Sequence, residues 1–321
     1  MKLYYSPYSL LPKQSLNALE KKTQKAGALL KLEEGEYCGY ADLHPLKEFG
    51  DLSLEEHLQS LKTGSLSFLA QRSLEFARKD LQARKEKLSL FENRMLKNNF
   101  IITDLLSFDP SQLSQNLEFQ SVKIKIGRSW EKEAEALNRL QAFPFRMRLD
   151  ANSSFTEKTF YDFLISLDED LLKKIEYVED PTPYDMISWK EFQKQVPIAI
   201  DFEIENASKS FEDAGFSVVV LKPARQNVEE LVDKSLTAGL KMTFTSSMDH
   251  LVGIAHAVAV AESFEKKYPD KVLDSGFLTS DLFEANSFSS KVHVEKASLC
   301  FSLEEGIGFS EELKSCDWLE L

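Results

Sequence analysis

VKIKIG (residues 122–127), FRMRLDA (145–151), IEYVEDP (175–181), IAIDFE (198–203) and VVVLKPA (218–224) are the stretches that decide how this chain folds. Each is a short apolar or β-branched run with a charged residue at its C-terminal end. Between them lie helical patterns, of which WEKEAEALNRLQ (130–141) and FTEKTFYDFLISLDEDLLKKI (155–175) are the plainest. Strand, helix, strand, repeated, implies parallel pairing, because a parallel pair needs a crossover of about a dozen residues or more. FIITDLL (100–106), MTFTSS (242–247) and a weaker LDSGFL (273–278) extend the series to eight strands. From Lys125 the steps to Asp150, Glu179, Asp201, Lys222, Ser247 and Gly276 are 25, 29, 22, 21, 25 and 29 residues, each one strand–helix unit long. The expected class is α/β: a TIM-like (β/α)7β barrel over residues 96–290, with active residues at the C-terminal ends of its strands. A doubly wound open sheet is the alternative, but no Gly-rich phosphate loop follows the first strand.

Residues 1–95 read as a separate α+β unit. Strand patterns at KLYYS (2–6), GALLKLEE (27–34) and YCGYADL (37–43) flank a turn at Glu34-Gly35-Glu36. SLEEHLQSLK (53–62) opens with Ser53 and Glu56 in the S-x-x-E arrangement of a helix N-terminus. From Ser65 to Lys97 apolar and charged residues alternate at helical spacing without Gly or Pro, predicting one or two amphipathic helices. Residues 291–321 are expected to return to this unit.

Lys and Arg total 39 against 52 Asp and Glu, a net charge of −13 that repels a phosphate backbone and excludes nucleic acid as a partner. The longest strongly apolar stretches, Phe216–Leu221 and the His-interrupted Leu251–Val260, fall far short of the ~18 residues a membrane helix needs, so no span is expected. The start, MKLYYSPYSLLPKQS, lacks the ~7–15-residue apolar stretch of a secretory signal, which makes the cytoplasm the expected location. Cys38, Cys300 and Cys316 form neither a disulfide framework nor a CxxC metal site and read as reduced. His250 and His256 are six apart, not the i, i+4 of a helical zinc motif, and read as ordinary histidines.

Asp150, Glu179 and Asp201 close three consecutive parallel strands, so a barrel brings them to one point. Any one strand-terminal acid is ordinarily a solvated cap; three in succession point to a cation, because like charges at a few ångströms raise one another's pKa unless one sits between them. All-oxygen ligands favour a hard ion, Mg²⁺ first and Mn²⁺ as the alternative. Alternation puts Lys123 and Lys125 on one face of VKIKIG, opposite Val122, Ile124 and Ile126. Pointing into the barrel mouth, they are expected to have lowered pKa values suited to a base. Lys222 ends the sixth strand, across an eight-membered ring from the second. A base, an opposed cation and a metal between them suit removal of a proton α to a carboxylate.

In order along the chain, VKIKIG, RLDAN (148–152), YVEDP (177–181), AID (199–201) and VVLKP (219–223) resemble the o-succinylbenzoate synthases, in the muconate-lactonizing-enzyme subgroup of the enolase superfamily. The likeness spans nearly the whole chain and makes 1–95 an N-terminal α+β capping domain. It implies Mg²⁺ ligands at Asp150, Glu179 and Asp201, Lys125 as acid and base, Lys222 as the cation over the substrate ring, and Lys123 in support. It implies dehydration of 2-succinyl-6-hydroxy-2,4-cyclohexadiene-1-carboxylate, a small-molecule carboxylate, in menaquinone biosynthesis. Ser246, Ser247 and Gly276 resemble the segments that hold the succinyl tail, a Ser pair there being otherwise a turn or helix cap. Asn152 and Asp180 are candidate orienting groups beside the ligands, and Tyr8–Leu11 is a candidate lid within SPYSLLPKQS (6–15). The family usually has an acid directly after its third ligand, whereas Asp201 is followed by Phe202 and then Glu203. The rival activities are N-succinylamino acid racemase or dipeptide epimerase on the same fold, or a barrel that binds without turnover. Oligomeric state is not legible in the sequence.

Overall fold

The N-terminal sheet is antiparallel. β1 (Lys2–Leu10), β2 (Lys25–Glu34) and β3 (Tyr37–Leu43) lie side by side, Tyr5 opposite Leu30 and Leu30 opposite Ala41. The turn joining β2 to β3 places Gly35 at φ 64°, a left-handed conformation that costs glycine nothing. The computed structural model that shows this describes residues 1–13, 23–47, 50–92, 95–207 and 211–321. Two helices cover one face of the sheet. α1 (Leu54–Thr63) begins with the capping box expected from Ser53 and Glu56, and α2 (Phe68–Glu86) follows. Leu30, Leu43, Leu61, Leu69, Ala70 and Leu74 form the apolar cluster between sheet and helices. Gly39 lets α2 approach so closely that a Cβ there would overlap the Ala77 carbonyl.

The helical pattern expected to run to Lys97 stops at Glu86. Lys87 turns left-handed (φ 55°), and its N–H donates to the Ala83 and Arg84 carbonyls. The next residues pair elsewhere: Leu90 N–H donates to Gly306 O and Gly306 N–H to Leu88 O, so a C-terminal loop captures a segment whose side-chain spacing alone suits a helix.

Seven parallel strands follow in chain order around the second sheet: β4 (Phe100–Ile102), β5 (Ser121–Lys125), β6 (Arg146–Asp150), β7 (Ile175–Glu179), β8 (Ile198–Ile200), β9 (Val218–Leu221) and β10 (Lys241–Phe244). An eighth extended segment completes the ring. It makes parallel bridges Met242↔Val272 and Thr245↔Gly276 on one side and Asn98↔Ser275 on the other. The architecture is therefore a TIM-like α/β barrel with a capping domain, and the open sheet is excluded. Helices α3 (Ser111–Gln115), α4 (Trp130–Leu140), α5 (Glu157–Ile165), α6 (Glu169–Leu172), α7 (Met186–Gln193), α8 (Ile204–Ala207), α9 (Val228–Thr237) and α10 (Leu251–Lys267) lie between and after the strands. The long pattern at 155–175 is split because Asn138 clamps it: its Nδ2 donates to Ser166 O and its Oδ1 accepts from Asp168 N–H. FIITDLL supplies only three strand residues before a turn at Leu105–Ser107.

Val122, Ile124 and Ile126 are at most 2% exposed and join the apolar core of the barrel, leaving the alternate positions Lys123 and Lys125 to the interior. The chain closes with hairpin β11 (His293–Glu295) and β12 (Ser298–Cys300), α11 (Ser310–Lys314), and β13 (Leu319–Glu320), which pairs with β1. Among the described residues, no helix is long and apolar enough to cross a membrane.

Candidate active site

Strand ends bring the charged residues together. Lys123 Nζ donates to both carboxylate oxygens of Glu179 at 2.8 and 2.7 Å and stands 2.9 Å from Asp150 Oδ2. Lys125 Nζ lies 2.8 Å from the same Asp150 oxygen, and Lys222 Nζ donates to Asp201 Oδ2 at 2.5 Å. Lysines from strands β5 and β9, second and sixth around the ring, thus flank carboxylates from the strands between them, all at one end of the barrel. Asp150 and Glu179 are 3% and 2% exposed, so water does little to screen them.

Burial pushes the Asp150 carboxyl up, but Lys123 and Lys125 outweigh it and hold the group well below the usual carboxylate range. Glu179 moves the other way, to about 7, through burial first and the charge of Asp150 next, with Asp201 adding to both. A Glu beside an ammonium would ordinarily be lowered; here burial and two anionic neighbours win, so the site holds more negative charge than Lys123 offsets. Burial likewise lowers Lys123, yet Asp150 and Glu179 together carry it well above the ordinary lysine value. The expected lowering is therefore reversed at Lys123, because two carboxylates touch it.

Both candidate orienting groups contact the candidate ligand residues. Asn152 Nδ2 donates to Asp150 Oδ1 at 2.5 Å. Asp180 accepts from the N–H groups of Asp201 (3.1 Å) and Phe202 (2.9 Å), fixing the backbone where Asp201 leaves its strand. Asn152 and Asp180 both sit at positive φ, 47° and 42°, where short polar side chains are tolerated. The acid displaced by one position, Glu203, accepts from Tyr184 N–H (3.0 Å) and Asn206 Nδ2 (3.2 Å), tying the loop after β7 to the loop after β8.

These groups open into a cavity of about 450 Å³, whose wall also includes Ser246, Ser247 and Gly276. Ser246 Oγ is engaged with Thr279 Oγ1 (2.6 Å) and accepts from Met248 N–H (3.3 Å). Ser247 is 5% exposed, and its Oγ is buried without a hydrogen-bond partner. Neither serine caps α10: His250 does, its Nδ1 accepting from Val252 N–H. Gly276 N–H donates to Phe244 O, and its carbonyl accepts from Thr245 Oγ1, so its polar backbone closes the barrel. Ile101, inside β4, shares the wall with Met248, Leu278 and Thr279, which follow the seventh and eighth strands, a position that could have marked them. Lys25 and Leu46 reach it from the capping domain, which strand spacing cannot reveal.

Of the candidate lid, Tyr8 to Leu10 are strand rather than loop, and Leu10 packs with Ile101 and Met248 of the cavity wall. Tyr8 belongs to β1, and its hydroxyl donates to Asp42 Oδ1 and contacts His44 Nδ1, which locks it in place. Gln14 and Ser15, which end SPYSLLPKQS, lie outside the described residues. On the C-terminal hairpin, His293, Glu295 and Cys300 bring their ligand atoms within 4.8 Å of one another, an exposed grouping that spacing along the chain does not reveal.

The model of the o-succinylbenzoate synthase N-terminal domain matches residues 3–83. A curated o-succinylbenzoate synthase from Bdellovibrio bacteriovorus is 39% identical over 327 residues, covering 100% of this chain and 99% of the relative. Another from Yersinia enterocolitica is 26% identical over 74% of this chain and 78% of its own. Among solved structures, the L-Ala-D/L-Glu epimerase from Bacillus subtilis in a substrate-liganded complex superposes with a TM-score of 0.78 at 16% identity, over 96% and 98% of the two chains. The muconate lactonizing enzyme from Pseudomonas fluorescens gives 0.76 at 14%, over 97% and 96%. A Roseovarius nubinhibens member of the enolase superfamily complexed with magnesium gives 0.80 at 14%, over 100% and 99%. At such identities these likenesses establish the fold, while the full-length relative establishes the family. On both counts the chain belongs to the o-succinylbenzoate synthases of the enolase superfamily, carbon–oxygen lyases.

Proposed function

We propose that the protein dehydrates 2-succinyl-6-hydroxy-2,4-cyclohexadiene-1-carboxylate to o-succinylbenzoate, a step of menaquinone synthesis, in a Mg²⁺-dependent syn elimination. The observation that carries this reading is the placement of Lys125 and Lys222 on opposite strands, with Asp150, Glu179 and Asp201 between them. The donor set fits a divalent cation: three carboxylates from consecutive strands, with Glu179 pushed to about 7 by burial and by anionic neighbours that one ammonium leaves uncompensated. Asp150, Glu179 and Asp201 are the ligands, with Mn²⁺ as an alternative ion. When bound, the ion supplies positive charge that offsets the charge developing on the substrate carboxylate.

Lys125 Nζ takes the α-proton as the C–H bond breaks, leaving an enediolate on the substrate. The same ammonium returns the proton to the departing hydroxyl. The C–O bond breaks, water leaves, and the ring becomes aromatic. Lys222 stays protonated over the ring and stabilises the anion. Lys123, pinned between Asp150 and Glu179, holds the ligand carboxylates in place. Asn152 and Asp180 orient Asp150 and the Asp201 backbone. Ser247, with a buried unpartnered hydroxyl, contacts the succinyl tail, and Ser246 and Gly276 shape the wall beside it. We divide the chain into a capping domain over 1–95, joined by 291–321, and a barrel over 96–290; the pairing of β13 with β1 supports this division. The location we assign is the cytoplasm.

The second reading is racemisation or epimerisation of an N-succinylamino acid or dipeptide, since dipeptide epimerases share this fold. Asp274, the acid within the eighth segment that could receive an α-ammonium, is committed elsewhere. Its Oδ2 accepts from Ser121 Oγ (2.7 Å) and Arg146 Nη2 (3.1 Å), residues that begin β5 and β6 at the opposite end of the barrel. That favours the synthase. The test offers purified protein and Mg²⁺ the cyclohexadiene carboxylate and, in parallel, N-succinyl amino acids in D₂O. Dehydration without α-exchange is expected; α-exchange without dehydration would replace this reading with the second.

A further inference from the structure

The loop from Thr245 to His250 carries Ser247 and holds an uncommon backbone. Met248 sits at φ 55°, a left-handed conformation that side-chain-bearing residues adopt only when neighbours enforce it. One enforcing group is Asp249, 3% exposed, whose Oδ1 accepts from Ser247 N–H at 3.1 Å. Another comes from the capping domain. Asp42 of β3, 8% exposed, accepts from His250 N–H through Oδ2 (3.0 Å) and from the Tyr8 hydroxyl through Oδ1 (2.6 Å). The two carboxyls meet in a notch on α10 left by Gly253, where a Cβ would stand 2.5 Å from Asp249 Oδ2 and 2.7 Å from Asp42 Oδ2.

We propose that Asp249, braced by Asp42 across the junction of cap and barrel, is a positioning residue that locks the 246–250 loop so that the Ser247 hydroxyl faces the substrate. The proposal rests on the reading of Ser247 as a substrate contact. Seating of the cap is thereby coupled to the shape of the barrel's substrate wall, through hydrogen bonds rather than through direct contact of Asp42 with substrate. Burial pushes both carboxyls up, Asp249 to about 6. The amide of Asn in place of Asp249 keeps an oxygen that can accept from Ser247 N–H.

Steady-state kinetics on the cyclohexadiene carboxylate with Mg²⁺ test this. Ser247→Ala, Asp249→Ala and Asp42→Ala should each raise KM about tenfold, the worth of roughly one lost hydrogen bond, with kcat within about threefold. The double variant Ser247→Ala/Asp249→Ala should be no worse than either single one, because both remove the same contact. Asp249→Asn should restore the wild-type KM. Should Asp249→Ala not fold, Gly253→Ala provides the same KM rise by filling the notch, in a helix that alanine otherwise favours. Multiplying effects in the double variant, or an Asp249→Asn as impaired as Asp249→Ala, would overturn the positioning role while leaving Ser247 in place. An unchanged KM in Ser247→Ala would remove the substrate contact itself, and the proposal with it.

Discussion

Lys123 and Lys125 are two positions apart on one strand face, yet their surroundings differ. Lys123 is bound by two carboxylates, Lys125 by one, on the side that opens to the cavity. Lys125→Ala is expected to cut kcat by at least about 10³-fold, within the range of a lost general acid–base. Divalent-ion affinity by calorimetry and the thermal midpoint should stay close to wild type; loss of ion binding instead would make Lys125 part of the ligand shell. A different single residue reports on pH. His256 is buried under the cap, its Nε2 2.9 Å from Tyr40 O and its ring stacked on Phe76, and burial lowers it to about 4. Unfolded chains take up that proton near pH 6.5, whereas the folded protein waits until about pH 4. The stability of wild type relative to His256→Gln should therefore be full above pH 6.5 and shrink as pH falls toward 4, by up to about 1.4 kcal/mol per unit. Urea midpoints of both proteins at pH 7.5 and 5 check the sign.

Among the elements, local signals were legible where one short segment contains both partners. The Ser53–Glu56 capping box is such a case, and Ser53→Ala should cost about 1 kcal/mol in denaturant unfolding. Gly39→Ala should cost more, because its Cβ meets the backbone of α2 and no side chain can give way. Elements whose ends depend on distant residues were not legible. Glu86 ends its helix because Leu88 and Leu90 pair with Gly306, and the pattern at 155–175 breaks because Asn138 grips Ser166 and Asp168. That Tyr8 to Leu10 of the candidate lid are strand rather than loop escaped for the same reason: Asp42 of β3 and His44 just past it hold Tyr8 from some thirty-five positions away.

For the molecule as a whole, strand-end spacing was enough to assemble the carboxylates and lysines, since a closed barrel converts a repeat along the chain into a ring in space. Lys25 and Leu46 escaped because the seating of one domain on another leaves no periodic trace. The surplus negative charge around Glu179 gives a global prediction. A divalent ion that binds only the folded barrel should raise its stability by about 2.7 kcal/mol at 100 times its Kd. Mg²⁺ should therefore raise the thermal midpoint of wild type and not that of Asp150→Asn; equal rises would place the ion elsewhere. Ring closure has a consequence in time. Asn98 Oδ1 accepts from Phe277 N–H, and these residues are 179 positions apart. At roughly 5–20 residues per second of synthesis, the first barrel strand waits on the order of 10–40 s for its last neighbour. Until then both borders of the growing sheet present unpaired N–H and C=O groups that another nascent chain can match. Slow translation lengthens that exposure, so the yield of folded enzyme depends on how quickly the eighth segment arrives.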